Sequence, residues 1–365
     1  MIKKIQLSFI AFSIFIICFT AQSTAQQSKD KDVYAGIEVG AKGVKVTILK
    51  IINIKKAEYE VVDSWADNTT VGKGISTTGV ILPEDITNAA TIVFNDYQRL
   101  TSTKYPLTKD RIFIVISSGV AKAKNVAILS ESIEKLTLKK PKIVTIEEES
   151  KLLIKGGIPP KKLDDAVMID IGGGNTKGGF VVKVQGSDSY VFVPFGFDYG
   201  TVTLTEKNKK TAAEGSFDDF LRVNAANSDT ISKLIKIAFN KNPLFQTKKN
   251  IYFSGGSVWA FAVLSGLKTK DTYSSFTSQN VKDYYLNLLT NYKQIETNSQ
   301  TNEEAKNVLN TYSQLYLISG NSILLNILKN IDNIDNKNLY FINQGHLNWL
   351  KGFILESAKG QISIY

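Results

Sequence analysis

The sequence predicts an α/β protein of two related halves. Three observations carry that expectation. The chain of 365 residues is long enough for two domains, and its 43% hydrophobic and 21% charged residues are ordinary for a globular protein. Strand and helix patterns alternate along it, and the alternation begins again near Ala166. Laying "GIEVGAKGVKV" over "MIDIGGGNTKG" pairs Ile37 with Ile169, Glu38 with Asp170, Gly40 with Gly172 and Lys45 with Lys177, always 132 residues apart. An acid, a glycine and a lysine in one register point to two copies of one unit.

The elements follow in order. "VYAGIEVG" and "VKVTILKI" around "AKG" predict a hairpin, and "EYEVVDSWADN" continues it as strand. "LPEDITNAATIVFNDYQRL" opens on Pro-Glu-Asp and keeps apolar residues at helical spacing, so it predicts a helix. "RIFIVISS" is a buried strand and "NVAILSESIEKLT" a helix. From Ala166 the chain repeats strand, glycine turn and strand. "FDDFLRVNAANSDTISKLIKIAF" is then helical, and "NIYFSGG" is a strand ending in a turn. "TNEEAKNVLNTYSQLYLISGNSILLNILKNI" predicts a long helical region broken at Gly320, and "NLYFIN" a last strand.

Residues 1–25 read as a secretory leader. Lys3 and Lys4 supply positive charge, Ile5 to Phe19 is apolar, and Ser23 and Ala25 are small residues at a cleavage site. The apolar run is shorter than the roughly 20 residues of a membrane span. Bulky Ile17 before Cys18 argues against a lipid anchor. These features predict a periplasmic or secreted protein starting near Gln26, with no stable membrane anchor after cleavage.

A single cysteine rules out an internal disulfide framework, and a single histidine speaks against a zinc site. The formal charge is +10, or +8 once Lys3 and Lys4 leave, which favours anionic partners. The lysines are scattered without aromatic interleaving and no nucleic-acid motif is present, so no nucleic-acid partner is expected. Oligomeric state stays open.

The paired turns suggest phosphate chemistry. Glycines free the backbone and remove side chains that would block a ligand, and successive N–H groups form a nest for phosphate oxygens. An acid at the strand end is placed to hold Mg²⁺ or its waters, which makes Asp170 and Glu38 the candidate metal ligands. A single glycine turn is more often only a tight hairpin. Two in register favour the ligand reading. Lys177 has three readings: a surface or pattern lysine, a phosphate ligand, or a group standing in the metal's place.

These residues carry a resemblance. The paired turns resemble phosphate loops one and two of the actin, sugar kinase and chaperone ATPase superfamily, and "NIYFSGGSVWAFA" resembles its third glycine motif. Within it the sequence is most similar to the exopolyphosphatase/guanosine pentaphosphate phosphohydrolase (Ppx/GppA) family. "VGKGISTTGVILPEDITNAATIVFNDYQRL", "IVISSGVAKAKN", "IEEESKLLIKGG", "DYGTVTLTEK", "LISGNSILLNILKNI" and "LYFINQGHLNWLKGFI" resemble that family's segments in order.

The resemblance implies two actin-like (ribonuclease H-like) domains, 33–165 and 166–345, with an interdomain cleft, and a C-terminal helix in 346–365 returning to the first domain. It implies Glu148 as the general base, and Mg²⁺ held through Asp170 and Glu38. Gly40, Gly43, Gly172, Gly173, Gly174, Asn175, Thr176, Gly255 and Gly256 would bind phosphate. The activity implied is hydrolysis of terminal phosphoanhydrides of polyphosphate, with polyphosphate or a nucleotide as the polyanion. The alternatives are a catalytically degenerate anion- or partner-binding protein and an apyrase-like nucleoside triphosphatase. The departures from the family pattern are Glu38 for aspartate, Ala121 for arginine, Thr145-Ile146 for Ser-Gly, Lys177 for an acid and Asn348 for arginine.

Overall fold

The computed structural model describes residues 32–359, except 55–56, 188–189, 269–270 and 344–347. The leader and the start near Gln26 lie outside the described residues. The strands are β1 (Val33–Val39), β2 (Gly43–Asn53), β3 (Glu58–Asn68), β4 (Ile112–Ile116), β5 (Lys142–Ile143), β6 (Ala166–Ile171), β7 (Thr176–Lys183), β8 (Tyr190–Phe197), β9 (Asn250–Ser254), β10 (Tyr273–Phe276) and β11 (Asn338–Ile342). The helices are α1 (Val71–Thr78), α2 (Pro83–Thr101), α3 (Ser118–Ala121), α4 (Val126–Thr137), α5 (Ile146–Gly157), α6 (Thr201–Thr211), α7 (Phe217–Asn240) and α8 (Leu244–Thr247). They continue as α9 (Gly256–Leu264), α10 (Ser278–Thr290), α11 (Tyr292–Ser299), α12 (Glu303–Thr311), α13 (Gln314–Lys329) and α14 (Asn348–Lys359).

Two sheets result, ordered β3-β2-β1-β4-β5 and β10-β11-β9-β6-β7-β8. In each, an antiparallel meander (β1-β2-β3, β6-β7-β8) leads, and its first strand pairs in parallel with a strand reached through helices. The duplicated register is therefore structural. Glu38 lies opposite Lys45 across β1–β2, and Asp170 lies opposite Lys177 across β6–β7.

The second sheet is covered by the largest apolar cluster, which includes Phe180, Phe239, Phe253 and Phe261. A second cluster packs α2 and α4 on the first sheet through Val93, Leu100, Leu129 and Ile133. A third lies between the sheets and is built from α5 and α14. There Leu350, Phe353 and Ile354 are buried. A Cβ on Gly36 of β1 would lie 2.8 Å from the Leu350 and Ile354 side chains, so α14 rests directly on the first sheet.

The long C-terminal helical region is interrupted, but not at Gly320. α12 ends before Tyr312, and Gly320 lies inside α13. A Cβ there would press on the Ser257 side chain, so this glycine serves helix packing and not a break. No described helix is long and apolar enough to cross a membrane.

Candidate active site in the interdomain seam

The strand ends deliver Glu38 (β1), Ser117 and Ser118 (after β4), Asp170 (β6) and Ser254 (β9) to one place, because β1 with β4 and β6 with β9 run parallel. Helix α5 adds Glu149. Its first turn is fixed by a capping box: the Glu148 N–H donates to Thr145 Oγ1 (3.1 Å), and the Thr145 N–H donates to Glu148 Oε2 (3.0 Å).

That cap settles which glutamate faces the cleft. Glu148, the expected base, lies outside it. It is exposed, pairs with Lys142 at 3.1 Å, and the Thr145 N–H holds its carboxyl below the usual value. Glu149 is the carboxylate that turns inward. It is 1% exposed and shares the helix face of Leu152 and Leu153. The S/T-x-x-E signature at Thr145 and the apolar residues three and four positions after Glu149 were the sequence signals for this.

Around Glu149 the polar groups are saturated. Its Oε2 accepts from the Ser118 N–H (2.8 Å) and Oγ (2.5 Å), and its Oε1 lies 2.8 Å from Lys177 Nζ. Lys177 also donates to Asp170 Oδ2 (3.0 Å) and Asn175 Oδ1 (3.4 Å). The other Asp170 oxygen accepts from Ser254 Oγ (2.7 Å), and Asn175 Nδ2 donates to Ser118 Oγ (2.9 Å).

Lys177 is 4% exposed, so it is no surface lysine. Burial by itself favours the neutral amine, but Asp170 and Glu149 reverse that and raise its pKa above the ordinary lysine value. Burial also works against the charged Asp170. Lys177 and Ser254 outweigh it and lower the Asp170 pKa. Glu38 sits beside this group and is paired with Lys45 at 3.3 Å. Burial dominates there and pushes its carboxyl up to about 6.

The glycine turns do not face an open nest. A Cβ on Gly173 would lie 3.3 Å from Ala41 Cβ, and one on Gly174 would lie 2.9 Å from the Gly119 backbone. The Gly172 and Gly173 carbonyls accept from the Thr201 N–H (2.9 Å) and Val202 N–H (2.8 Å) at the start of α6. Glycine is required here because two stretches of main chain meet across the seam. Gly40 closes the first turn, its N–H donating to Gly43 O (2.9 Å). Gly43 closes the same turn through its carbonyl and starts β2, where a Cβ on it would meet the Asp67 carbonyl. Thr176 donates to the Tyr199 carbonyl (2.7 Å). Gly255 has φ +99°, and Gly256 lies under the hydroxyl of buried Tyr312.

The donor set does not fit Mg²⁺. Among the described residues no cluster of three or more histidine, cysteine or acidic side chains could hold a metal. Asp170 and Glu149 converge on an ammonium, and Glu38 is paired with Lys45. Lysines line the seam from both halves. Lys42 and Lys209 each approach the Tyr316 ring (4.8 and 4.7 Å), with Glu206 accepting from the Tyr316 hydroxyl at 2.5 Å. Lys122 donates to the Gly174 carbonyl (2.6 Å) near Asp198.

No protein-family model matches this sequence, and no curated protein matches it. Solved structures do. An exopolyphosphatase-like protein superposes with TM-score 0.70 at 16% identity, covering 90% of this chain and 100% of its own. An exopolyphosphatase from Cytophaga hutchinsonii gives 0.68 at 14% identity, covering 91% and 99%. A Ppx/GppA family member from Aquifex aeolicus gives 0.60 at 16% identity, with 91% and 99% covered. The chain thus has the two-domain, actin-like fold of the Ppx/GppA structures.

Proposed function

We propose that this protein binds phosphate-chain polyanions on an exopolyphosphatase fold without Mg²⁺-dependent turnover. The observation that carries the reading is Lys177, whose ammonium is bound by Asp170, one of the two expected metal ligands, and by the inward-facing Glu149. The loss of arginine at Ala121 agrees with it. The polyanion is argued from the net charge of +10, or +8 once the leader's Lys3 and Lys4 leave, and from Lys42, Lys122 and Lys209 along the seam. Export through the leader in residues 1–25 belongs to the same proposal and favours polyphosphate over cytosolic nucleotides.

One observation supports hydrolysis as a second reading. Glu149 is buried and aimed inward beside Ser118, where a base acting on water would stand. The two readings part in one assay: phosphate release from polyphosphate, ATP and GTP, with and without Mg²⁺, beside calorimetric binding of polyphosphate. Binding without release is expected. Mg²⁺-dependent release that falls roughly 10²–10⁴-fold in Glu149→Gln, and is unchanged in Glu148→Gln, would establish the hydrolase with Glu149 as base.

A further inference from the structure

We propose that Lys177 is the resident cation of the seam, its ammonium filling a three-oxygen cage that a divalent ion would otherwise occupy and tying the two halves together without a metal. An ammonium has three N–H donors. Three oxygens converge on this one: Glu149 Oε1 at 2.8 Å, Asp170 Oδ2 at 3.0 Å and Asn175 Oδ1 at 3.4 Å. Each is held by a further contact. Ser118 fixes Glu149, Ser254 fixes Asp170, and Asn175 is oriented by its bond to Ser118. Gly172 leaves room for the ammonium, since a Cβ there would lie 3.3 Å from Nζ.

The cage spans the seam. Asp170, Asn175 and Lys177 belong to the second sheet and its turn, whereas Glu149 is anchored by Ser118 at the end of β4 in the first. Its spacing suits a large cation. Mg²⁺ demands oxygens at roughly 2.0–2.1 Å in near-ideal octahedral geometry, whereas Ca²⁺ accepts about 2.3–2.6 Å in flexible arrangements. An ammonium supplied by the chain also cannot be removed by chelation. The inference does not depend on polyanion binding, because its test uses metal ions alone.

The test is calcium and magnesium titration by calorimetry, with thermal melting alongside, on the wild type, Asp170→Asn, Lys177→Ala and Lys177→Ala/Asp170→Asn. Wild type is expected to bind no calcium or magnesium at millimolar concentration and to melt at the same temperature with and without chelator. Lys177→Ala should gain one calcium site and a calcium-dependent rise in melting temperature, both lost in the double variant. A folded Lys177→Ala that takes up no calcium overturns the proposal. So does wild-type binding of either ion that Asp170→Asn abolishes. If Lys177→Ala folds only with calcium present, that rescue is itself the predicted site.

Discussion

Glu38 is the buried acid whose titration reports on the seam. It is 3% exposed and faces Lys45, Glu149 and Lys177. Burial raises its pKa from 4.5 to about 6, so the folded state holds the proton more tightly than the unfolded chain does. Its contribution is present in full below the unfolded value and is lost as pH rises through about 6. The shift corresponds to about 2 kcal/mol. Glu38→Gln removes this titration, so wild type should gain about that much relative to the variant as pH falls from 7 to 4.5. Urea unfolding of both proteins across that range measures it. A difference that stays flat would show that folding does not raise the Glu38 pKa. Asp170 has the opposite sign: its lowered pKa contributes stability above the ordinary carboxylate range and loses it in more acid solution.

At the scale of elements, the strand–turn–strand units were legible because period-two hydrophobicity and glycine turns are local signals. "VYAGIEVG", "RIFIVISS" and "NIYFSGG" all form strands. The duplicated register was legible for the same reason, and it becomes a pair of cross-strand ion pairs. What could not be read was tertiary. A lysine looks solvated until two carboxylates from different elements are seen to enclose it. Glu148 and Glu149 differ by one step around a helix, and only the cap and the buried face assign them. Gly320 looked like a break because glycine weakens helices, but its role is contact with Ser257. The same logic governs the α5–α14 crossing. A Cβ on Gly352 would strike the Leu152 main chain, with its carbonyl carbon at 3.0 Å and Cα at 3.2 Å. Gly352→Ala should therefore destabilise the protein by about 1–3 kcal/mol through overpacking, although alanine favours an isolated helix by about 1 kcal/mol. The urea midpoint gives the sign, and an increase would mean the helices have room to separate.

Across the whole molecule, the turns of the two halves are pressed together, so any anion bound between them must first part them. Gly173 faces Ala41 and Gly174 faces Gly119, with no space for a phosphate at those contacts. A covalent lock turns this into an experiment. The Cβ position at Gly173 lies 3.3 Å from Ala41 Cβ, close to the roughly 3.5–4.5 Å that a disulfide spans. The native chain has one cysteine, Cys18, within the segment read as a leader. Ala41→Cys/Gly173→Cys in a chain starting at Gln26 would thus carry only the engineered pair. Oxidised, it should be more stable by up to about 5 kcal/mol, because the bond closes a long loop in the unfolded chain. It should also lose polyphosphate binding, and a reductant should restore both properties to near wild type. Full binding by the oxidised protein would place the anion on the exposed lysines and not between the turns. Loss of binding in the reduced protein as well would trace the defect to the substitutions themselves and leave closure unimplicated.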